Sequence, residues 1–140
     1  TNIVYFSRLL EGSYPNITNI FETKTIASVQ IPREPLEDAL NRMLAFECEN
    51  NKVVIEKTQD GELILQTNSQ TGDIFETILG SKIGKGFPTI KLNGRFLKEA
   101  IQAADKEVKT VSLNATGPFS QLFLRYDGDD SMISVILPLR

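Results

Sequence analysis

One hydrophobic pattern occurs twice along the chain. In each copy a short alternating run leads into an amphipathic helix, first at 29–31 and 36–40, then at 90–92 and 97–101 with the same spacing. Three short apolar runs follow each helix, at 53–55, 63–65 and 75–79 in the first copy and at 108–113, 122–124 and 133–137 in the second. Short runs between turn-forming residues favour strands over helices. The pattern predicts a β-α-β-β-β unit, duplicated within one chain.

Each predicted helix has one apolar face, with the spacing that a helix buried on one side requires. The apolar positions are Leu36, Ala39, Leu40, Met43, Leu44 and Phe46 in the first helix, and Phe96, Leu97, Ala100, Ile101 and Ala104 in the second. Asn93 is a predicted N-cap, and Pro35 suits a first helical turn. We therefore predict an α+β fold in which both helices pack on one face of antiparallel sheet, with their exposed faces side by side.

Turns and boundaries complete the predicted organisation. The pairs Asp60-Gly61 and Asp127-Gly128 separate consecutive runs, as hairpin turns do. Residues 1–24 lie outside the repeat, and their segment 2–6 has a strand-like pattern. We interpret 1–24 as the tail of a preceding domain and a linker, and 25–140 as one domain with repeats at about 25–80 and 87–140. A first residue Thr1 rather than Met indicates a piece of a longer protein.

Composition narrows the function classes. The 140 residues carry a net charge of −3, whereas proteins that hold nucleic acid tightly usually carry a strongly basic patch. The chain has no histidine, which excludes serine–histidine and cysteine–histidine nucleophiles within it. Its single cysteine, Cys48, cannot form an internal disulfide, so a cytoplasmic location is expected. The acidic run 127–130 lacks the spacing of a calcium loop and is interpreted as a turn. No catalytic residue, metal or cofactor is predicted.

Three segments of the chain resemble one known family. They are Ser-Arg-Leu-Leu-Glu-Gly-Ser-Tyr-Pro-Asn at 7–16, Leu-Asn-Gly-Arg-Phe-Leu at 92–97, and a C-terminal stretch that ends in Val-Ile-Leu-Pro-Leu-Arg. They resemble the bacterial DNA polymerase III beta sliding clamp family, in its C-terminal (third) domain with the end of the second. The doubled β-α-β-β-β unit is the domain plan of that family, the DNA clamp fold.

The resemblance implies a processivity factor rather than an enzyme. In that family, three-domain subunits form a head-to-tail homodimer ring around duplex DNA in the bacterial nucleoid, and helices line the hole. The implied DNA-facing residues here are Arg42, Arg95 and Lys98. Asp38, Glu99 and Asp105 share the same faces, so the expected contact with DNA is loose. The implied subunit surface comprises 73–77, Ala45 and Phe46, and without the partner domain the chain is expected to be monomeric.

The resemblance also implies a pocket for short linear peptides of DNA polymerase, clamp loader and repair proteins. Its implied residues are Pro15, Asn19, Ile20, Asn93, Phe96, Val135, Ile136, Leu137, Pro138, Leu139 and Arg140. An apolar cleft with a few polar groups suits such peptides. Asn19 stands where pockets of the family often carry a basic side chain, and many clamps continue beyond the position of Arg140.

Two other functions remain open from the residues alone, namely a free-standing ligand-binding α+β domain and an enzyme that uses only carboxylates. A deep enclosed cavity would favour the first, and buried clustered carboxylates the second. The stretch Gln121-Leu122-Phe123-Leu124 resembles a clamp-binding peptide. Because it lies within a predicted strand, we interpret that match as chance.

Overall fold

The computed structural model describes residues 2–140 and has the repeated unit at the predicted places. A short helix, α1 (Thr18–Phe21), precedes it. The first copy then comprises β1 (Ala27–Pro32), α2 (Arg33–Leu44), β2 (Lys52–Lys57), β3 (Leu63–Ser69) and β4 (Gly72–Ile78). After the short strand β5 (Lys82–Ile83), the second copy comprises β6 (Ile90–Asn93), α3 (Gly94–Gln102), β7 (Thr110–Ala115), β8 (Leu122–Tyr126) and β9 (Asp129–Ile136). A 3-10 turn, Glu49–Asn51, leads into β2. The predicted element order is confirmed in both copies.

The two copies exchange their first strands. One sheet has the order β5-β1-β7-β8-β9 and the other β4-β3-β2-β6. We call them sheet A and sheet B. All pairs are antiparallel, and the register places Ile31 opposite Val111 in sheet A and Val53 opposite Leu92 in sheet B. Each sheet therefore combines three strands of one copy with the first strand of the other, and β5 adds a fifth strand to sheet A.

Both helices pack across both sheets and contact each other. Helix α2 contacts β1 of sheet A and β4 of sheet B, and α3 contacts β6 of sheet B and β9 of sheet A. The predicted apolar faces supply Leu36, Ala39, Leu40, Met43, Leu97 and Ile101 to the core, all fully buried. This arrangement confirms the predicted α+β class. The antiparallel strands form two sheets rather than one.

Two residues assigned to the apolar faces are exposed instead. Phe46 lies beyond the end of α2, where the chain has left the helical spacing that would direct it inward. Phe96 lies in the first turn of α3 with 57% of its surface exposed. A helix that packs on a sheet buries only the narrow stripe of its surface that faces the sheet. Phe96 lies at the margin of that stripe on α3.

The predicted turns and the predicted cap are present. Gly61 and Gly128 both have positive φ, 89° and 80°, in the β2–β3 and β8–β9 hairpins. Glycine adopts this backbone region without the steric cost that a Cβ would add. Asn93 caps α3, because its Oδ1 accepts a hydrogen bond from the Arg95 backbone N–H at 2.9 Å. Pro35 lies in the first turn of α2, as predicted.

Helix α3 begins close to β2, and glycine makes that approach possible. A Cβ on Gly94 would lie 2.6 Å from Val53 Cγ2 and 3.3 Å from Leu44 Cδ2. Contacts of 2.6 Å do not occur between real side-chain carbons, so a larger residue at 94 would force either α3 or the Val53 side chain to move.

The predicted strand at 2–6 is wrong. Residues 2–10 belong to no strand, and their apolar side chains are exposed. An alternating pattern forms a strand only when a neighbouring strand takes its backbone hydrogen bonds, and no segment of residues 2–140 pairs with it. Thr1, part of the predicted tail 1–24, lies outside the described residues. The boundary between 24 and 25 stays a prediction. Within 2–140, no helix is long and apolar enough to cross a membrane.

Candidate functional site

A surface groove lies between α3 and the edge strand β9. Its volume is about 500 Å³, and its lining consists of Phe96, Glu99 and Ala100 from the helix and Ser134, Val135, Ile136 and Leu137 from the strand end. We call it the α3–β9 groove. The structure therefore brings together Phe96 and three of the C-terminal residues that the sequence predicted for a pocket.

The three strand residues of the groove have different surroundings. Val135 is 37% exposed and Leu137 72%, whereas Ile136 is only 5% exposed and belongs to the core. Successive strand residues point to opposite faces, so Ile136 points inward beside its cross-strand partner Leu122. The apolar contact surface available to a ligand therefore comes from Val135 and Leu137, together with Phe96.

Tyr126 does not line the groove but connects the two elements that form its walls. Its hydroxyl lies 2.8 Å from the Ala100 carbonyl oxygen, to which it donates, and 2.6 Å from Ser134 Oγ. The ring is buried, and both polar contacts are satisfied. Tyr126 was absent from the predicted site, although its position in the same alternating series as Leu122 and Leu124 places it on the inward face of β8.

The remaining C-terminal residues lie beside β6 rather than in the groove. The backbone N–H of Leu139 donates to the Lys91 carbonyl oxygen at 2.7 Å, which ties the end of sheet A to the edge of sheet B. Pro138 and Leu139 are half-buried, and Arg140 is exposed. Asn93, also predicted for the pocket, is half-buried, and its side-chain oxygen is engaged in capping α3.

The predicted linker wall lies outside the groove, and its C-terminal end contacts the outward face of sheet A. Pro15, Asn19 and Ile20 are exposed and do not line the α3–β9 groove. The rings of Phe21 and Phe123 lie 6.1 Å apart between centroids, and Gln121 Nε2 donates to Thr23 Oγ1 at 2.6 Å. The sequence did not indicate these contacts among Phe21, Thr23, Gln121 and Phe123, because no local pattern pairs a four-residue helix and its following turn with a strand a hundred residues away.

A second cleft occupies the equivalent place on the first copy. It has a volume of about 350 Å³ and lies between α2 and the end of β4, with Glu34, Pro35, Asp38, Arg42, Thr77 and Leu79 as its lining. Pro35 and Phe96 are both the third residue of their helix, and Leu79 and Leu137 both follow the last residue of their strand. One of its lining residues, Arg42, is held in an ion pair, since its Nε and Nη2 donate to the two Glu76 carboxylate oxygens at 2.7 and 2.9 Å.

The three predicted DNA-facing residues have different environments. Arg95 is exposed and Lys98 half-buried, both on α3. Arg42 is held by Glu76 of β4, a partner that the sequence did not indicate. The helices are joined at their polar faces by Gln102 Nε2, which donates to Glu37 Oε1 at 2.8 Å. Their surface therefore carries mixed charge, as expected from the sequence.

The Arg42–Glu76 pair makes stability depend on pH in the acid range. Hydrogen bonding to Arg42 is the larger cause that holds the pKa of the Glu76 carboxyl below its usual range, and partial burial opposes it. A carboxyl with a lowered pKa stabilises the fold above its ordinary pKa, near 4.3, and this contribution is lost as the pH falls through the lowered value. Glu76→Gln should therefore lower Tm by about 1–4 °C at pH 7, and the difference should vanish in acid.

Melting curves of both proteins between pH 7 and pH 2.5 measure this effect. Glu49→Gln is a matched control, because Glu49 is exposed and makes no ion pair within residues 2–140. A Tm difference for Glu76→Gln that persists unchanged at pH 2.5 would contradict the assigned role of the ion pair.

Buried acid–base chemistry is absent from the described part of the chain. Among residues 2–140, the buried residues with a hydroxyl group are Thr67 and Tyr126, and the Thr67 hydroxyl donates to the Lys52 carbonyl oxygen at 2.7 Å. No carboxylate there is buried, and no three His, Cys, Asp or Glu residues are grouped so that they could hold a metal ion. The carboxylate-enzyme hypothesis gains no support from this arrangement.

Comparison with known proteins relates the chain to sliding clamps. It is 28% identical over 141 aligned residues to the beta sliding clamp of Staphylococcus aureus, which covers 99% of this chain and 37% of that protein. The beta sliding clamp of Staphylococcus epidermidis matches with the same identity and coverage. The chain thus spans little more than a third of the curated relatives it matches. No family model matches it.

Solved structures agree with the sequence relatives. A putative DNA polymerase III beta subunit from Eubacterium rectale superposes with a TM-score of 0.81 at 26% identity, over 96% of this chain and 36% of that one. The sliding clamp from Pseudomonas aeruginosa bound to griselimycin has a TM-score of 0.84 at 18% identity, over 96% of this chain and 36% of that one, and shows the shared fold. The resemblance to sliding clamps indicated by the sequence and the DNA clamp fold are both confirmed.

Proposed function

We propose that this chain is the C-terminal domain of a bacterial sliding clamp, a non-catalytic processivity factor that docks peptide motifs of replication proteins in the α3–β9 groove. The carrying observation is the exposed apolar surface of Phe96, Val135 and Leu137 around this groove. It occurs in a chain that is similar over 99% of its length to beta sliding clamps.

The shape and chemistry of the groove support a short apolar peptide as its ligand. An open cleft of about 500 Å³ has room for a few side chains. Exposed aliphatic and aromatic residues that lie together on a surface usually mark a contact site, because their exposure to water is unfavourable. Glu99 at the rim supplies a polar group that can orient a donor of the peptide. Partners of the proposed kind are DNA polymerase, clamp loader and repair proteins.

The helical surface supports a loose contact with duplex DNA. Arg95 and Lys98 face outward on α3, and Arg42 lies at the end of α2, but Asp38 and Glu99 lie on the same helices. A few phosphate contacts give weak attraction that salt screens readily. Retention on DNA is proposed to come from closure of a ring in the bacterial cytoplasm, at the nucleoid, rather than from the affinity of this domain.

The edge of sheet B supports a contact with another clamp subunit. Strand β4 is an outer strand of that sheet, so its outward backbone groups have no partner within residues 2–140. Phe75 on this strand, Leu79 after it and Phe46 after α2 are exposed apolar residues. This surface is the proposed place where a homodimer ring is joined, and the isolated chain is expected to be monomeric.

Titration with a Gln-Leu-x-Leu-Phe peptide tests the proposed docking function. We expect saturable binding in the micromolar range, or about −8 kcal/mol, as a small groove filled by a few apolar anchors allows. Isothermal calorimetry measures the affinity and the stoichiometry. The matched control is the same peptide with both leucines and the phenylalanine replaced by alanine. Absence of saturation at hundreds of micromolar of the first peptide would contradict the docking function.

A further inference from the structure

The segment that contains the predicted linker wall is held to the domain by few contacts. Helix α1 has four residues and buries none of them. Helices this short are marginal in water without packing partners. Asn16 Oδ1 accepts the Thr18 backbone N–H at 3.0 Å, which is a bond within the segment itself. The position of α1 relative to sheet A therefore depends on the contacts that its side chains and carbonyls make with β8.

Those contacts come from two residues at the start of β8. Gln121 Nε2 donates to Thr23 Oγ1 at 2.6 Å and approaches the Ile20 carbonyl oxygen at 3.5 Å. The Phe123 ring meets the Phe21 ring at a centroid distance of 6.1 Å and an interplanar angle of 31°. Aromatic pairs at this distance in tilted geometry attract each other beyond their simple burial.

Phe123 is buried on the side of the sheet that lacks a core. Leu122 and Leu124 belong to the core, so Phe123 between them points to the outward face. It is nevertheless only 4% exposed, whereas Phe21 opposite it remains 46% exposed. An outward aromatic side chain loses its exposure only when something covers it, and Phe21 is an aromatic ring that lies against it.

The same contacts place α1 beside the exposed residues of β9. Phe123 is the direct cross-strand partner of Val135, so the two side chains lie on the same face of sheet A. Neighbouring strands are about 4.8 Å apart. Helix α1 thus lies one strand away from Val135, and Ile20 is the half-exposed aliphatic residue next to Phe21 in that helix.

We propose that Phe21, Thr23, Gln121 and Phe123 form a latch that holds Ile20 on the Val135 side of the α3–β9 groove, where it extends the peptide site by a further wall, and this inference rests on the proposed docking function. Phe21, Thr23, Gln121 and Phe123 act through Ile20 and do not themselves contact the peptide. The latch also assigns a structural role to residues 121–124, the stretch that resembles a clamp-binding peptide. Its leucines serve the core, and its glutamine and phenylalanine hold α1 from outside.

Phe21→Ala releases the latch without removing a core residue. We expect it to weaken peptide binding about 3–10-fold, because the peptide must then order α1 when it binds. Phe21→Tyr, which keeps the ring pair, should restore affinity. The matched control is Phe119→Ala, since Phe119 is also an exposed phenylalanine but has no ring partner within residues 2–140. Tm should change little in all three variants.

Two further measurements separate positioning from direct contact. Amide hydrogen exchange at 20–23 should become faster in Phe21→Ala and in Gln121→Ala, and should be unchanged in Phe119→Ala. In an Ile20→Ala background, Phe21→Ala should cause almost no additional loss of affinity, because its effect passes through Ile20. A full additional loss in that background would overturn the positioning role.

The outcomes distinguish the latch from the docking function. Equal affinities of the unmodified chain and Phe21→Ala would overturn the latch and leave the docking site in place. If the unmodified chain binds no peptide, the docking function fails. Unchanged exchange at 20–23 in Phe21→Ala would overturn the latch on its own, whatever the peptide does.

Discussion

Leu137→Ala is expected to weaken binding of the Gln-Leu-x-Leu-Phe peptide by about 1–3 kcal/mol, or about 5–150-fold, and to leave Tm nearly unchanged. The reason is that Leu137 lines the α3–β9 groove while most of its side chain is open to solvent. Its truncation removes contact surface for a ligand and opens no cavity in the core. Calorimetric titration and a thermal melt of the same sample measure both quantities.

Ile136→Ala is the matched comparison, one residue earlier on the same strand. Ile136 is buried in the core opposite Leu122, so its truncation should cost about 2–5 kcal/mol of unfolding free energy. The loss of unfolding free energy in Leu139→Ala should lie between those of Leu137→Ala and Ile136→Ala, because Leu139 is half-buried and its backbone N–H is hydrogen-bonded to the Lys91 carbonyl oxygen. A large drop in Tm for Leu137→Ala, similar to that of Ile136→Ala, would show that Leu137 is core rather than binding surface.

Separation of the two copies should abolish folding of each. We expect fragments 25–84 and 87–140 to lack a cooperative thermal transition when they are measured alone. In the first fragment β1 loses its partner β7, and in the second β6 loses β2. Ile31 and Leu92, both fully buried in the whole chain, would then face water at a cost of about 1.5–3 kcal/mol each.

An equimolar mixture of the two fragments is the control for this prediction. Because the exchanged strands pair through noncovalent contacts, the mixture should recover a cooperative transition and form a one-to-one complex. Circular dichroism and sedimentation measure the two properties. A cooperative melt by either fragment alone would contradict the mutual dependence of the copies.

Local patterns predicted the elements but not the exchange between copies. The faces of α2 and α3, the Asn93 cap and the glycine turns depend on residues close together in sequence, and the structure confirms them except at Phe46 and Phe96. The neighbour of β1 could not be predicted in this way. The alternation at Val29 and Ile31 predicts which face of the strand is buried. It does not indicate which strand lies beside it.

The site was predictable only in part for a similar reason. All three residues Val135, Ile136 and Leu137 are apolar, so the usual alternation of polar and apolar positions is missing where β9 leaves the core. The structure shows that the middle one is buried and its neighbours are exposed. The partner of Arg42 lies on a different element, and the cover of Phe123 comes from a segment outside the repeat. Contacts between residues far apart in sequence depend on tertiary geometry rather than on local sequence.

The paired clefts of the two copies have a consequence for stoichiometry. A duplicated domain could be expected to offer two equivalent docking places, one for each half. Here the cleft of the first half begins at Pro35 and contains Arg42, which is paired with Glu76, whereas that of the second half begins at Phe96 and has no ion pair among its lining residues. Divergence after an internal duplication has thus left Arg42 and Asp38 at one of the two equivalent places and Phe96 and Val135 at the other. We therefore expect the proposed peptide site to bind one ligand for each molecule, although the chain consists of two like halves.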